Sequence, residues 1–453
     1  MRDKTMADSM LLDPSTLRKF RQVASTYSSY PIADRFVEAF DAPTLEQWIA
    51  AGKAFGLHHG CALAIRFPSA MRALFEGTLD ERASNNHSWY LHHLEKEIRM
   101  VGSLIANHVV IENMHWSGSA GTLSDVGQAS LLDVLRDNFE FSRHGAHSAD
   151  INPFNAALSD LSMLRQAGVT RVEICTQDLA LFPADKVHWA ERQIKTAKLV
   201  TVAREVGMVS IGADLIVGAA GQSTIAFMDA LETLLACTPD RVTLRECRLT
   251  TENSLAQHQS ARFEMLIAGA QSLADAGYTC IGIDHFVRLG DSLAVAQRLG
   301  RLTRLPHGYS PSPCDTVFAL GPGAIGVNGP TYYQNHRTAD DYCSSLDQGR
   351  LPIMRGLQLT PDDLARRTII HSLSTNLFVD IAVIETVHHL DFHAYFAVEL
   401  LELAQFEAAG LLCLRDSMIT VRNHGYLVLG AICAVFDGYN RQARLRAPYL
   451  VKP

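Results

Sequence analysis

Side chains able to bind soft metals or act as nucleophiles are plentiful in this chain, but their spacing offers no ready-made site. The nine cysteines, Cys61, Cys175, Cys237, Cys247, Cys280, Cys314, Cys343, Cys413 and Cys433, stand singly, none within four residues of another. There is no CxxC and no CxxxCxxC, so no local set of thiolates is offered to zinc or to an iron–sulfur cluster. Scattered cysteines of this kind read as reduced, mostly buried thiols of a cytosolic protein. The nineteen histidines include the doublets His58/His59, His92/His93 and His388/His389. Adjacent side chains point in different directions on a helix or a strand, so a doublet is not a chelate by itself, and chance accounts for "HHGC" more cheaply than a haem or metal site. Cys314, in "GYSPSPCDT", has no His or Lys close in sequence to lower its pKa and reads as an inert buried thiol.

The elements that must position these residues have a βα texture. From about residue 60 to 285, strand-like runs ("CALAIRF", "NHVVIENMHW", "HSADI", "VTRVEICT", "GMVSIGADLIVG", "DRVTLREC", "YTCIGIDHF") alternate with amphipathic segments such as "SWYLHHLEKEIRMVGSLI" and "STIAFMDALETLLAC". Repeated units of this length predict a parallel sheet wrapped by helices, as a barrel or partial barrel, with chemistry at the C-terminal ends of its strands. After about residue 300, "LPHGYSPSPCDT" and "LGPGAIGVNGPTYYQN" predict turns rather than regular elements. "LTPDDLARRTIIHSL" opens a mainly helical region with a Thr cap, Pro and two Asp. Within it, "AQFEAAGLLCLRDSMITVRNHGYLVLGAI" reads helix, Gly stop, short hairpin, helix, a winged-helix-like arrangement. The resulting division is an N-terminal arm at 1–50, a barrel at 51–300, a Gly/Pro-rich connection at 301–345 and a C-terminal accessory domain at 346–453.

Composition excludes several partners. The 453 residues are 47% apolar and 19% charged, the balance of a soluble protein with a large core. No apolar run reaches the roughly 18–20 residues of a membrane span. "YLVLGAICAVF" is far too short and reads as a buried helix, and "MRDKTMADSMLLDPSTLRKF" lacks the apolar stretch of a secretory signal. A cytoplasmic location is expected. The net charge of −8, with no basic block, argues against nucleic acid.

Several long runs resemble the oxygen-independent coproporphyrinogen III oxidases of the radical S-adenosylmethionine superfamily. The clearest is "IGIDHFVRLGDSLAVAQRLGRLTR"; others are "SSYPIADRF", "ADLIVG", "TPDRVTL", "YYQN" and "MRGLQLTPDDLARR". The likeness runs in unbroken order from about residue 27 to 440. It implies an α/β fold: a radical-SAM-type partial (β/α) TIM-like barrel with a mainly helical C-terminal domain.

In that family a CxxxCxxC loop after the first barrel strand holds a [4Fe–4S] cluster, because soft thiolates match iron. In "LAIRFPSAMRALFEG" the resemblance places Pro68, Arg72 and Phe75 at the three cysteine positions, and Gly77 where a fourth often stands. Pro and Phe have no donor atom, and Arg stays protonated. The Gly-rich strand end that lies along the cofactor in the family reads "HWSGSAGT" here, keeping Gly118 but adding Ser117 and Ser119, and the family's cofactor-contacting Arg falls on Trp189. Asp150 and Asp214 match acidic positions of the cofactor pocket, although a strand-end Asp such as Asp214 reads better as a helix cap. Arg245, Glu246 and Arg248 replace a polar run and read as a solvated, salt-bridged rim. His285 and Tyr309 are implied pocket-shaping residues, His285 having core hydrogen bonding as its structural alternative.

The joint change at Pro68, Arg72, Phe75, Ser117, Ser119 and Trp189 implies a cluster-less paralogue, a pseudo-enzyme with no catalytic residue, no metal site and no [4Fe–4S] cluster. The ligands left to consider are a tetrapyrrole (porphyrin, porphyrinogen or haem) and S-adenosylmethionine, and an active paralogue is a further partner. The competing expectations are an active coproporphyrinogen oxidase and a non-radical S-adenosylmethionine enzyme.

Overall fold

The computed structural model describes Leu17, Lys19, Phe20 and residues 27–54, 60–67, 81–105, 109–118, 125–153, 158–175, 186–219, 222–246 and 255–441. Six strands, β1 (Cys61–Arg66), β2 (Val110–Ser117), β3 (Glu140–Ile151), β4 (Arg171–Ile174), β5 (Ser210–Val217) and β6 (Arg241–Glu246), lie side by side in chain order and parallel. Helices return the chain between them, including Glu81–Ile105, Asp125–Asn138, Leu158–Gln166 and Thr224–Ala236. This is the repeated βα sheet that the periodicity predicts.

Two parts of the sheet differ from the expectation. "YTCIGIDHF", read as one strand, forms two short antiparallel ones, β7 (Tyr278–Cys280) and β8 (His285–Arg288), because Asp284 turns the chain at φ +63°. The Gly/Pro-rich region, read as turns, contains the β9 (Thr303–Leu305) and β10 (Gly308–Ser310) hairpin. It continues into β11 (Thr316–Leu320), β12 (Ile325–Asn328) and β13 (Thr331–Asn335). Its glycines do turn the chain, with Gly321, Gly323 and Gly329 at φ +94°, +67° and +55°, but the runs between them are short strands. β11 pairs parallel with β1, and β12, β13 and β14 (Ile353–Gln358) follow antiparallel. Among the described residues the sheet has 12 strands in the order β14-β13-β12-β11-β1-β2-β3-β4-β5-β6-β8-β7.

The two faces of the parallel strands differ sharply. Outward positions such as Leu63, Ile65, Trp116, Ile151, Val172, Ile174, Ile211, Val242 and Leu244 join the main apolar core against the helices. Removing such surface from water is worth about 25 cal/mol per Å², and this burial is the main force holding helices to sheet. The alternate positions point inward, and many are polar, which departs from the apolar character usual on both faces of parallel strands. A buried knot ties the helix Glu81–Ile105 to the far strands. Glu97 accepts from Gly321 N (2.8 Å), Asn335 Nδ2 (2.7 Å) and Tyr342 Oη (2.5 Å).

The C-terminal region follows its sequence signals. Thr360 and Asp363 form a reciprocal capping box at the start of the helix Pro361–Asn376. After the helix Ala397–Ala408, Gly410 at φ +72° stops the helical run, and β16 (Leu412–Arg415) and β17 (Met418–Val421) form the expected hairpin, joined by β15 (Phe378–Asp380). "YLVLGAICAVF" is a 3-10 turn followed by the buried helix Leu429–Val435. Among the described residues no helix is long and apolar enough to cross a membrane.

Candidate functional site

The polar inner positions converge on a cavity of about 90 Å³ inside the curled sheet. β2 contributes Asn113 and His115, β3 Ser148 and Asp150, β4 Arg171 and Glu173, and β6 Arg241 and Arg245. His285 of β8 and the β9–β10 hairpin close the cavity, with His307 stacked on His115 at 4.8 Å and an interplanar angle of 11°. Ring contact between β2 and this hairpin requires the sheet to bend into a partial barrel.

Charge inside the cavity is organised in pairs. Arg245 Nε donates to Asp214 Oδ2 at 2.9 Å, and Arg241 Nη2 lies 3.4 Å from Glu173 Oε2. Asp150 Oδ1 is 3.6 Å from His115 Nε2, whose ring Nδ1 is 2.9 Å from Ser148 Oγ. Burial pushes the Glu173 carboxyl up. Burial, with the positive charges of Arg304 and Arg245 added, pushes His285 well below the usual imidazole range, and burial with His115 beside it does the same for His307. Glycine at 212 makes room for the ion pairs, since a Cβ there would meet Glu173 Oε2 at 1.8 Å.

Residues singled out in the sequence fall in different places. Asp150, His285 and Tyr309 do line the cavity. His285 Nδ1 is 2.8 Å from Ile283 O, and its ring meets Tyr309 edge-on at 4.8 Å, so the core hydrogen bond is present in a residue that also lines the cavity. Tyr309 Oη accepts from Ile283 N at 3.0 Å and donates to Ser374 O at 2.8 Å. Asp214 is no helix cap: it sits within β5, wholly buried at the side chain, and the following helix is capped by Ser223. Nor is Arg245 a solvated rim group, because its partner is that buried carboxylate, while Glu246 pairs with Arg262 at 3.2 Å. Gly118 has a structural reason to be glycine, with φ +75° and a Cβ position only 2.0 Å from Phe67 O. Pro68, Arg72, Phe75, Gly77, Ser119, His58, His59, Cys247 and Arg248 lie outside the described residues, as does the side chain of Trp189.

Sequence reasoning misses Arg171, Glu173, Arg241 and Asn113 as site residues. Their signal is the alternation in "VTRVEICT" and "DRVTLREC", where Arg171/Glu173 and Arg241/Thr243/Arg245 share one face of each strand.

The described residues do not provide the donors that an iron–sulfur cluster needs. No group of three or more His, Cys, Asp and Glu among them is arranged to hold a metal ion. Cys61, which opens β1, and Cys314, two residues before β11, are both buried, and burial drives both thiols up, Cys61 to about 12. A neutral thiol in an apolar setting is a poor ligand and a poor nucleophile.

A scan against protein-family models finds no match. Curated relatives are nevertheless close. The oxygen-independent coproporphyrinogen III oxidase of Pseudomonas aeruginosa is 30% identical over 457 residues, covering 96% of this chain and 99% of that protein. The protein of the same name from Escherichia coli K12 is 30% identical over 443 residues, covering 95% and 96%. Among solved structures, coproporphyrinogen III oxidase (HemN) from Escherichia coli, described as a radical SAM enzyme, superposes with a TM-score of 0.80 at 28% identity, covering 91% of this chain and 97% of that one. The fold is thus shared, and the chain belongs to the oxygen-independent coproporphyrinogen III oxidase family.

Proposed function

We propose that this chain is a cluster-less member of the family, which has kept the barrel and accessory region but not radical initiation. The observation that carries the reading is the sequence of the loop after β1, in which the resemblance puts Pro68, Arg72 and Phe75 at the family's three cysteine positions. Carbon side chains and a guanidinium cannot bind iron. The dispersal of the nine cysteines along the sequence, with no CxxxCxxC, supports the same reading. In place of catalysis the chain holds a tetrapyrrole, or regulates an active relative through that ligand. The cavity is sized for a small group rather than a macrocycle, so the ring of a tetrapyrrole stays outside it. Titration of haem and coproporphyrin III into the purified chain tests this: a saturable spectral change is expected, and none overturns the ligand assignment.

A second reading, an active coproporphyrinogen oxidase, is favoured by relatives that match nearly the whole chain. It requires cluster ligands from cysteines distant in sequence. Iron and sulfide analysis after anaerobic reconstitution separates the two.

A further inference from the structure

The barrel cavity holds more hydrogen-bonding capacity than its own walls use. Arg171, 5% exposed, has neither Nε nor Nη2 hydrogen-bonded among the described residues, and no carboxylate lies within ion-pair distance of it there. The two acids that act on it from nearby are committed elsewhere: Asp291 bonds Ser210 Oγ at 2.5 Å and caps the next helix through Leu293 N at 2.8 Å, and Glu173 faces Arg241 at 3.4 Å. Burial and the neighbouring Arg241 push the Arg171 guanidinium down to about 9, against the opposing pull of Asp291 and Glu173. Among the described residues Asn113, 4% exposed, has no partner for either its amide nitrogen or its amide oxygen, and His307 has none for a buried Nδ1. All three line the same cavity.

Buried polar groups are rarely left this way, and several orphans facing one void point to an occupant. The volume of about 90 Å³ exceeds the roughly 10–15 Å³ that one water requires, so a small molecule or a protruding group fits. The occupant's charge follows from the pairing. Arg241 faces Glu173 and Arg245 faces Asp214, while Asp150 lies 3.6 Å from the His115 ring, and Arg171 is left as a cation without an ion-pair partner among the described residues. A dianion such as phosphate would be repelled by Asp150 and Glu173 on the same walls, whereas one carboxylate matches one guanidinium and its fork of donors.

We propose that the cavity is a binding site for a single carboxylate group, received by the Arg171 guanidinium and the Asn113 amide beside His307. This site goes beyond the tetrapyrrole reading, because it does not require the carboxylate to belong to a macrocycle. A free small acid and an acid side chain of a larger ligand share the chemistry.

The test uses the full chain and isothermal titration with sodium propionate and sodium succinate at constant ionic strength, with sodium phosphate and sodium chloride as controls. The expected result is saturable carboxylate binding that weakens at least tenfold in Arg171→Met and in Asn113→Leu, each shown to be folded by circular dichroism. Coproporphyrin III binding that propionate displaces, and that the tetramethyl ester lacks, assigns the carboxylate to a tetrapyrrole side chain; propionate binding without such displacement assigns a free acid. No saturable carboxylate response, a response to phosphate or chloride alone, or carboxylate binding unchanged in both variants overturns the proposal and leaves the cavity to water.

Discussion

Arg245 Nε lies 2.9 Å from Asp214 Oδ2, joining neighbouring strands β6 and β5 across the inner face of the barrel. The Asp214 side chain is fully buried while Arg245 keeps about a third of its surface, so the guanidinium acts as the solvent-side cover of an interior charge. Asp214 occupies a position that the resemblance links to cofactor or substrate contact, and here it is already engaged by a residue of its own chain.

That engagement makes Arg245 a stability residue. Arg245→Met removes the guanidinium that neutralises Asp214 and is expected to destabilise the fold by about 2–4 kcal/mol, as when one partner of a buried pair is lost. Adding Asp214→Leu should recover part of the loss. A urea denaturation series on the two variants measures both; equal stability of Arg245→Met and the parent would contradict the pairing as a structural feature.

Glu97 sets a pH dependence. Burial, partly offset by its three donors, raises its carboxyl from 4.5 to about 7. The unfolded chain then releases this proton near pH 4.5 and the folded chain near pH 7, so between them the folded state holds more protons. The stabilisation linked to this group is complete below about 4.5 and is lost, by on the order of 3 kcal/mol, as pH rises through about 7. Glu97→Gln should flatten that component, seen as a smaller difference in urea midpoint between about pH 5 and pH 8 than in the parent.

Gly118 offers a steric test. Any side chain there meets the Phe67 carbonyl at a position 2.0 Å from the new Cβ, at φ +75°. Gly118→Ala is expected to cost about 2–4 kcal/mol, combining left-handed strain with displacement of the β1 end. Thermal unfolding measures it, and an unchanged midpoint would show that the two strand ends do not approach this closely.

The loop after β1 can be asked directly whether it descends from a cluster loop. Pro68→Cys, Arg72→Cys and Phe75→Cys together should let the chain take up iron and sulfide under anaerobic reconstitution, read as a broad absorbance in the visible that the parent lacks.

How much of this was legible depended on the range of the interaction. The helices and β1–β6 followed from local periodicity, and the Thr360–Asp363 cap from residue types three apart. β11–β13 were obscured because glycines needed for their turns resemble loop composition. The inner face was visible as alternation in "DRVTLREC", but whether Arg245 meets solvent or a carboxylate depends on β5 lying beside β6, a tertiary fact. The unpaired state of Arg171 is still less local, since it rests on Asp291 being held by Ser210 from 81 residues away.

Whether the proposed loss of the iron–sulfur centre holds is measured most directly by iron, sulfide and S-adenosylmethionine cleavage assayed on the parent chain after strictly anaerobic reconstitution. Iron at trace level, with no cleavage of the sulfonium, is the predicted result. Four irons per chain with reductive cleavage of S-adenosylmethionine would contradict it.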